Sequence, residues 1–171
     1  MVLVRPEQTG DAAAIRLVNE RAFGQPQEAD LVENLRQSCP ELISLVAIAD
    51  GRLAGHILFS PATIDSPTGQ VDGMGLAPLA VLPEYQGQGI GSALVEAGLD
   101  LLRGLPCPFV IVLGHPAYYP RFGFEPASCH GIRSQWEGIP DEAFMLLALD
   151  QPAMAGVSGV ARYRREFDVL A

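Results

Sequence analysis

The chain contains no lysine. Its 11 Lys+Arg residues are all arginines, set against 20 Asp+Glu, for a formal charge of −9. Without lysine there is no Gly-Lys-Ser/Thr ending, which excludes a P-loop. An acidic chain with no basic run is also a poor nucleic-acid binder, because phosphate neutralisation dominates that affinity. Cysteine is scarce: Cys39, Cys107 and Cys129 are odd in number and far apart, with no Cys-x-x-Cys pair. This argues against a disulfide framework and a zinc site, and leaves small buried thiols. Long apolar runs are missing, since nothing approaches the ~18 residues that a membrane helix needs. The start, "MVLVRPEQTGD", puts Arg5 and Pro6 where a signal peptide would carry its apolar stretch. The expectation is a soluble, cytoplasmic protein with no nucleic-acid or membrane partner. Its negative charge suits a cationic substrate such as an amine, or simply keeps the chain soluble.

What is present is a core. With 171 residues, 49% hydrophobic and 18% charged, the composition predicts one globular domain. Residues 1–6 alternate as a strand, and Thr9-Gly10-Asp11 is a helix-start signal. Ala13, Ile15, Leu17, Val18, Ala22 and Phe23 recur at helical spacing. Ala29, Leu31, Val32 and Leu35 make a second helix ending near Pro40. Two β-type runs flank Asp50-Gly51, a hairpin signal, and "SPTGQ" turns into a fourth strand near Val71 to Leu82. A helix follows from about Gly89 to Arg103, then the strands "PFVIVLG" and "AFMLLAL" around a short turn, "PAYYPRFGF". The last twenty residues stay ambiguous. The reading is a single α/β (α+β) domain.

Between the fourth strand and the helix lies "QGQGIG", with Gly87, Gly89 and Gly91 at alternate positions. A helix N-terminus offers unpaired N–H groups and the positive end of the macrodipole. Glycines ahead of it let an anion reach the backbone. Strand, glycine-rich turn and helix therefore form a phosphate cradle. A plain strand-to-helix turn would need only one glycine. The dinucleotide fingerprint G-x-G-x-x-G fits poorly, because its third glycine falls on Ser92 and the turn follows a fourth strand.

The remaining pattern, Gln/Arg-x-x-Gly-x-Gly/Ala, is met by Gln86-Gly87-Gln88-Gly89-Ile90-Gly91. In this context "LAVLPEYQGQGIGSALV" resembles the acetyl-CoA-binding motif of the GNAT superfamily of N-acetyltransferases. "FVIVLGHPAYYPRFGFEP" resembles the superfamily's next strand, short helix and Gly-Phe turn. "GHILFSP", "YYPRFGF" and "IPDEAFMLLAL" are similar to its bacterial YhbS-like branch. The resemblance covers roughly residues 1–150 and implies a mixed, mostly antiparallel sheet with a splayed fourth and fifth strand, flanked by helices. Residues 151–171 would be an extension packed on the same domain, and a homodimer is left open.

The resemblance also implies a site. Backbone N–H groups of Gly87, Gly89, Gly91 and Ser92, with Gln86, Gln88 and Ile90, would surround the coenzyme A pyrophosphate. Leu79, Ala80 and Val81 would pair with the pantetheine arm and offer an oxyanion donor. Pro78, lacking a donor, suits an irregular strand site. The hexapeptide carries no cation, so neutral backbone would do most of the anion binding. Tyr119, four residues before Gly123, occupies the position of the family's general-acid tyrosine, and Tyr118 reads as a core residue. A phenol near pKa ~10 protonating a thiolate near ~8.5 is uphill by about 2 kcal/mol. Tyr119 would act late, have its pKa lowered, or merely hydrogen-bond the sulfur.

A lysine-like amine costs about 4–5 kcal/mol to neutralise at pH 7, so a base or water chain is expected. His115 is the candidate base, a histidine bonded to a backbone carbonyl being an equal reading. His56 reads as core, and Asp72 and Glu142 as weaker bases. Trp136, Arg133 and "SQWEGIPDE" line the acceptor side or form a surface loop. The expected activity is transfer of an acetyl group from acetyl-CoA to a small-molecule or peptide amine, by direct attack in a ternary complex. A non-catalytic CoA-binding module is the alternative.

Overall fold

The computed structural model describes residues 1–170. Nine strands form one sheet. In chain order they are β1 (Val2–Pro6), β2 (Ile43–Ala49), β3 (Arg52–Ser66), β4 (Gly69–Val81), β5 (Phe109–Leu113), β6 (Glu125–Pro126), β7 (Ile132–Ser134), β8 (Phe144–Ala148) and β9 (Gly159–Arg162). The sheet runs β1-β2-β3-β4-β5-β8-β6, while β9 pairs with β3 and with β7. Most pairings are antiparallel; β4–β5 and β7–β9 are parallel. Helices α1 (Ala12–Phe23), α2 (Gln27–Ser38), α3 (Ile90–Arg103) and the one-turn α4 (Gln151–Met154) accompany it, with short 3-10 helices in the connections, among them Tyr119–Phe122. No helix is long and apolar enough to cross a membrane among the described residues.

The best-formed elements are those with strong local signals. Asp50 and Gly51 both have positive φ (53° and 73°), the primed turn whose twist matches the strands it joins. In α3 the buried residues Ile90, Leu94, Val95, Leu99 and Leu102 fall on one face against the sheet. Asp11 departs from its expected role. It precedes α1, but its carboxylate binds Arg5 at 2.7 Å and the Gln8 N–H at 2.7 Å instead of capping the helix. Asp11 therefore pins β1 to α1.

Two features of the sheet create a cleft. The β4–β5 ladder has only three pairs, Met74–Val110, Gly75–Ile111 and Leu76–Val112. Beyond Leu76 the strands part. Opposite, the β3–β4 register slips between Ile57 and Phe59, where two steps on β3 face three on β4. Pro78 sits in that bulge, where its missing N–H breaks no ladder bond.

The final segment is held by the sheet. β9 pairs Thr63–Arg162, Ile64–Ala161 and Asp65–Val160 on β3, and Arg162 bonds Asp65 at 2.7 Å. Gly159 has φ 133°, and any Cβ there would collide with the Asp65 carbonyl. Only glycine lets the strand lie so close. Glu166 receives the Arg164 guanidinium at 2.7 Å and the Ser38 hydroxyl at 2.8 Å, tying the tail to the end of α2.

Candidate active site

The strand fork opens into a cavity of about 1030 Å³ that reaches from the α3 N-terminus to the β9 tail. At one end stands the glycine-rich turn. Gly87 and Gly89 have φ of 75° and 85°, and open space lies over both where a Cβ would stand. Gly89 precedes α3 without any side-chain cap, and the first turn-closing bond there is from the Ala93 N–H to the Gly89 carbonyl. The N–H groups of residues 87–92 thus have no backbone acceptor among the described residues, as a phosphate cradle requires.

The hexapeptide is less isolated than its sequence implies. Arg121 lines the same cavity and lies 4.5 Å over the Tyr118 ring, while the Tyr118 hydroxyl is 3.4 Å from Ser92 Oγ. The hexapeptide itself still carries no cation, and the "YYPRF" turn brings Arg121 to the wall of the same cavity. Two other residues turn their side chains away from it. The Gln88 amide reaches back to the Glu84 carbonyl at 3.3 Å, outside the cavity. Ala80 lies on the opposite face of β4, packed with Val18 and Leu82, because strand side chains alternate. Gln86 lines the cavity, but its amide is spent on the Val81 carbonyl at 3.0 Å, bracing the turn. Leu79, Val81, Gly87, Gly89, Ile90, Gly91 and Ser92 all line it.

In the middle are the two tyrosines, both packed on the core under α3, with Tyr119 the more buried. Tyr119 is buried and packs edge-on to Phe124 and to Tyr118, whereas Tyr118 is only half-buried. Both backbone N–H groups bond the His115 carbonyl, at 3.0 and 3.4 Å, so the turn forms despite Pro120. Pro120 falls in the first turn of a 3-10 helix, where a missing N–H costs nothing. Burial pushes the Tyr119 phenol well above its usual range. That removes the option of a lowered pKa and leaves a hydroxyl that stays protonated, with its hydrogen free to be donated.

His115 is exposed, lines the cavity, and has no side-chain hydrogen bond among the described residues. The reading in which it bonds a backbone carbonyl is therefore not what the structure holds. Asp72 and Glu142 do not line the cavity, and neither do Cys107 and Cys129. His56 is fully buried in β3 between Asn19 (3.1 Å from Nδ1) and Ser44 (2.9 Å from Nε2), with its pKa lowered to about 4 by burial.

The cavity is also walled by Trp136, Glu137 and Ile139 from the β7–β8 loop, by Tyr163, Phe167 and Leu170 from the tail, and by Phe23 and Glu28 from the α1–α2 corner, where Arg21 pairs with Glu84 at 2.7 Å just before the glycine-rich turn. Arg133 is not part of it. The tail residues were not foreseen; the signal was Tyr163 and Phe167 four apart in an otherwise charged run. Tyr163 Oη donates to the Leu76 carbonyl at 3.1 Å and lies 3.3 Å from that of Ile111.

A splayed parallel strand pair, a cradle of free N–H groups and a tyrosine between them define an acyl-transferring domain. The chain belongs to the acetyltransferase (GNAT) family, whose profile matches residues 12–124. It is similar to the N-acetyltransferase YhbS of Escherichia coli, 39% identical over 98% of this chain and 99% of that one. The crystal structure of YhbS in complex with CoA superposes with a TM-score of 0.89, covering 98% of this chain and 92% of the other. A GNAT acetyltransferase from Brucella melitensis in complex with acetyl-CoA matches at 35% identity and a TM-score of 0.78, over 98% and 99% of the two chains. The E. coli N-acetyltransferase YjhQ is 49% identical over 124 residues, 69% of this chain and 66% of that one.

Proposed function

We propose that the protein transfers the acetyl group of acetyl-CoA to a primary amine by direct attack, residues 1–150 forming the transferase domain and residues 151–171 completing it. The cytoplasm is the proposed location. The observation that carries this reading is one continuous cavity lined by the cradle, Tyr119 and His115. The family membership supports acetyl-CoA as cosubstrate.

The N–H groups of residues 87–92 hold the pyrophosphate, and Arg121 adds positive charge beside them. Strand β4 beyond Leu76 has no partner on β5, so its backbone is free to pair with the pantetheine arm. A Leu79 or Val81 N–H serves the carbonyl oxygen as charge builds on it. The amine nitrogen bonds to the acetyl carbon as the carbon–sulfur bond breaks. His115 takes the amine proton, directly or through water, and Tyr119 donates a hydrogen bond to the departing sulfur.

The test is thiol release with acetyl-CoA and an amine panel, comparing wild type with His115→Ala. Lower kcat/KM and loss of an ascending limb of the pH profile are expected. An unchanged profile leaves water as the base. Tight CoA binding with no turnover on any amine would make this a non-catalytic CoA-binding module.

A further inference from the structure

We infer that the acceptor is a monoamine whose cationic nitrogen is carried on an apolar body of about aromatic size, an arylalkylamine in chemical class. The inference rests on the acetyltransferase reading of the same cavity and names what its walls admit.

The first observation is apolar surface left uncovered. Phe23, Leu113 and Leu170 are each 39% exposed, and all three line this one cavity. Large apolar side chains held open in a concave site mark where a ligand's apolar body is buried. Beside them Trp136 stacks on Tyr163 with ring centroids 5.7 Å apart and an interplanar angle of 20°. Tyr163 in turn packs on Phe167 at 4.7 Å. The rings brace one another, so Trp136, itself half-buried, presents a fixed flat face.

The second observation is charge. Glu137 has no ion pair or hydrogen bond among the described residues, and Glu28 accepts only from the neutral Gln25 amide, at 3.0 and 3.1 Å. Most arginines elsewhere among the described residues are matched with carboxylates, as Arg16 is with Glu20, Asp30 and Glu33, though Arg133 and Arg165 are not. The cavity's own arginine, Arg121, is committed to Tyr118 at the cradle end. Glu137, next to Trp136, and Glu28, at the α1–α2 corner, thus give the cavity two carboxylates with no cationic partner among the described residues. An ammonium is drawn in and an acidic peptide is repelled.

Apolar walls and acidic groups together separate the amine classes. A polyamine would satisfy the carboxylates but lay further charges along Phe23, Leu113 and the aromatic stack, at a desolvation cost. A short alkylamine would leave the wall bare. An aromatic monoamine uses both, with its ring against Trp136.

The experiment compares phenethylamine, ethylamine, spermidine and an acidic tetrapeptide as acceptors for the full chain with saturating acetyl-CoA. Phenethylamine is expected to exceed each of the others by at least about tenfold in kcat/KM. The Glu28→Gln/Glu137→Gln double variant should raise KM for phenethylamine by about tenfold and leave KM for acetyl-CoA unchanged. Spermidine or the peptide performing as well as phenethylamine would overturn the inference, as would an unchanged amine KM in the double variant. Should no amine turn over, fluorescence of Trp136, the only tryptophan, decides separately. A saturable change with phenethylamine, weakened in the double variant, upholds the site while the transferase reading falls; a flat titration overturns the inference.

Discussion

The Tyr163 hydroxyl bridges the fork of the sheet, 3.1 Å from the Leu76 carbonyl on β4 and 3.3 Å from the Ile111 carbonyl on β5. Leu76 belongs to the last β4–β5 pair before the strands separate. A side chain from beyond the matched family region thus sets where the fork begins. Tyr163→Phe keeps the ring and loses the bonds, which should cost about 1–2 kcal/mol. The expected result is an unfolding temperature lower by about 3–6 °C, with a raised KM for acetyl-CoA as the fork loosens. Calorimetry and steady-state kinetics check both. A normal KM with a lowered unfolding temperature would confine Tyr163 to packing.

Gly89→Glu should abolish acetyl-CoA binding. Nothing stands within 4 Å of a Cβ at this position, so the fold survives apart from the strain of φ 85°. The new carboxylate enters the space above the free N–H groups and repels phosphate. Titration calorimetry on the folded variant is the measurement, and retained affinity would remove the cradle.

Tyr119→Phe should lower kcat by about 10²-fold with every acceptor tested, because the loss falls on the leaving group. Tyr118→Phe is the matched control. Its hydroxyl faces Ser92 at 3.4 Å, so it should weaken acetyl-CoA binding modestly while kcat holds. Kinetics with both substrates varied separate the two. The opposite pattern would move the hydrogen bond to the leaving sulfur to Tyr118.

Stability should fall with pH over a defined window. His56 has its pKa lowered to about 4 by burial, against 6.5 in the unfolded chain. A folded state that resists the proton has its full stability above the unfolded value and loses it as pH drops from about 6.5 towards 4. The whole shift is worth about 3 kcal/mol. Glu7 acts in the same direction. Burial raises its pKa, but Arg36 and the Ser44 hydroxyl outweigh that and hold it low. The chain of donors explains the neutral ring: Ser44 donates to Glu7 at 2.7 Å, so it accepts from His56 Nε2–H, and Nδ1 accepts from Asn19. Thermal melts from pH 8 to pH 4 should show the decline, and His56→Gln should flatten its upper part. An identical slope in that variant would assign the decline to other groups.

The parts of the fold legible in the sequence are those whose cause is local. Asp50-Gly51 requires positive φ at both residues, and α3 carries its period in its own side chains, so each announces itself. β6, β7 and β9 have two, three and four residues and owe their existence to partners far along the chain, β9 to Thr63–Asp65 and Ile132–Ser134. No window of sequence contains that cause. The cradle was legible for the first reason. The burial of Tyr119 over Tyr118, the arrival of Arg121 and the place of Tyr163 depend on the second.

Because β9 lies between β3 and β7, order of synthesis and order of space diverge. The cradle, the fork strands, Tyr118 and Tyr119 all precede residue 159 in the order of synthesis. Until then the exposed edge of β3 and the open side of the fork have no cover, and Leu76 and Ile111 have no hydroxyl to meet. A nascent chain would therefore acquire its nucleotide-facing surface first and its acceptor chamber only with the last strand. The acceptor chamber is thus the last part to close, as Gly159 comes to lie against the Asp65 carbonyl.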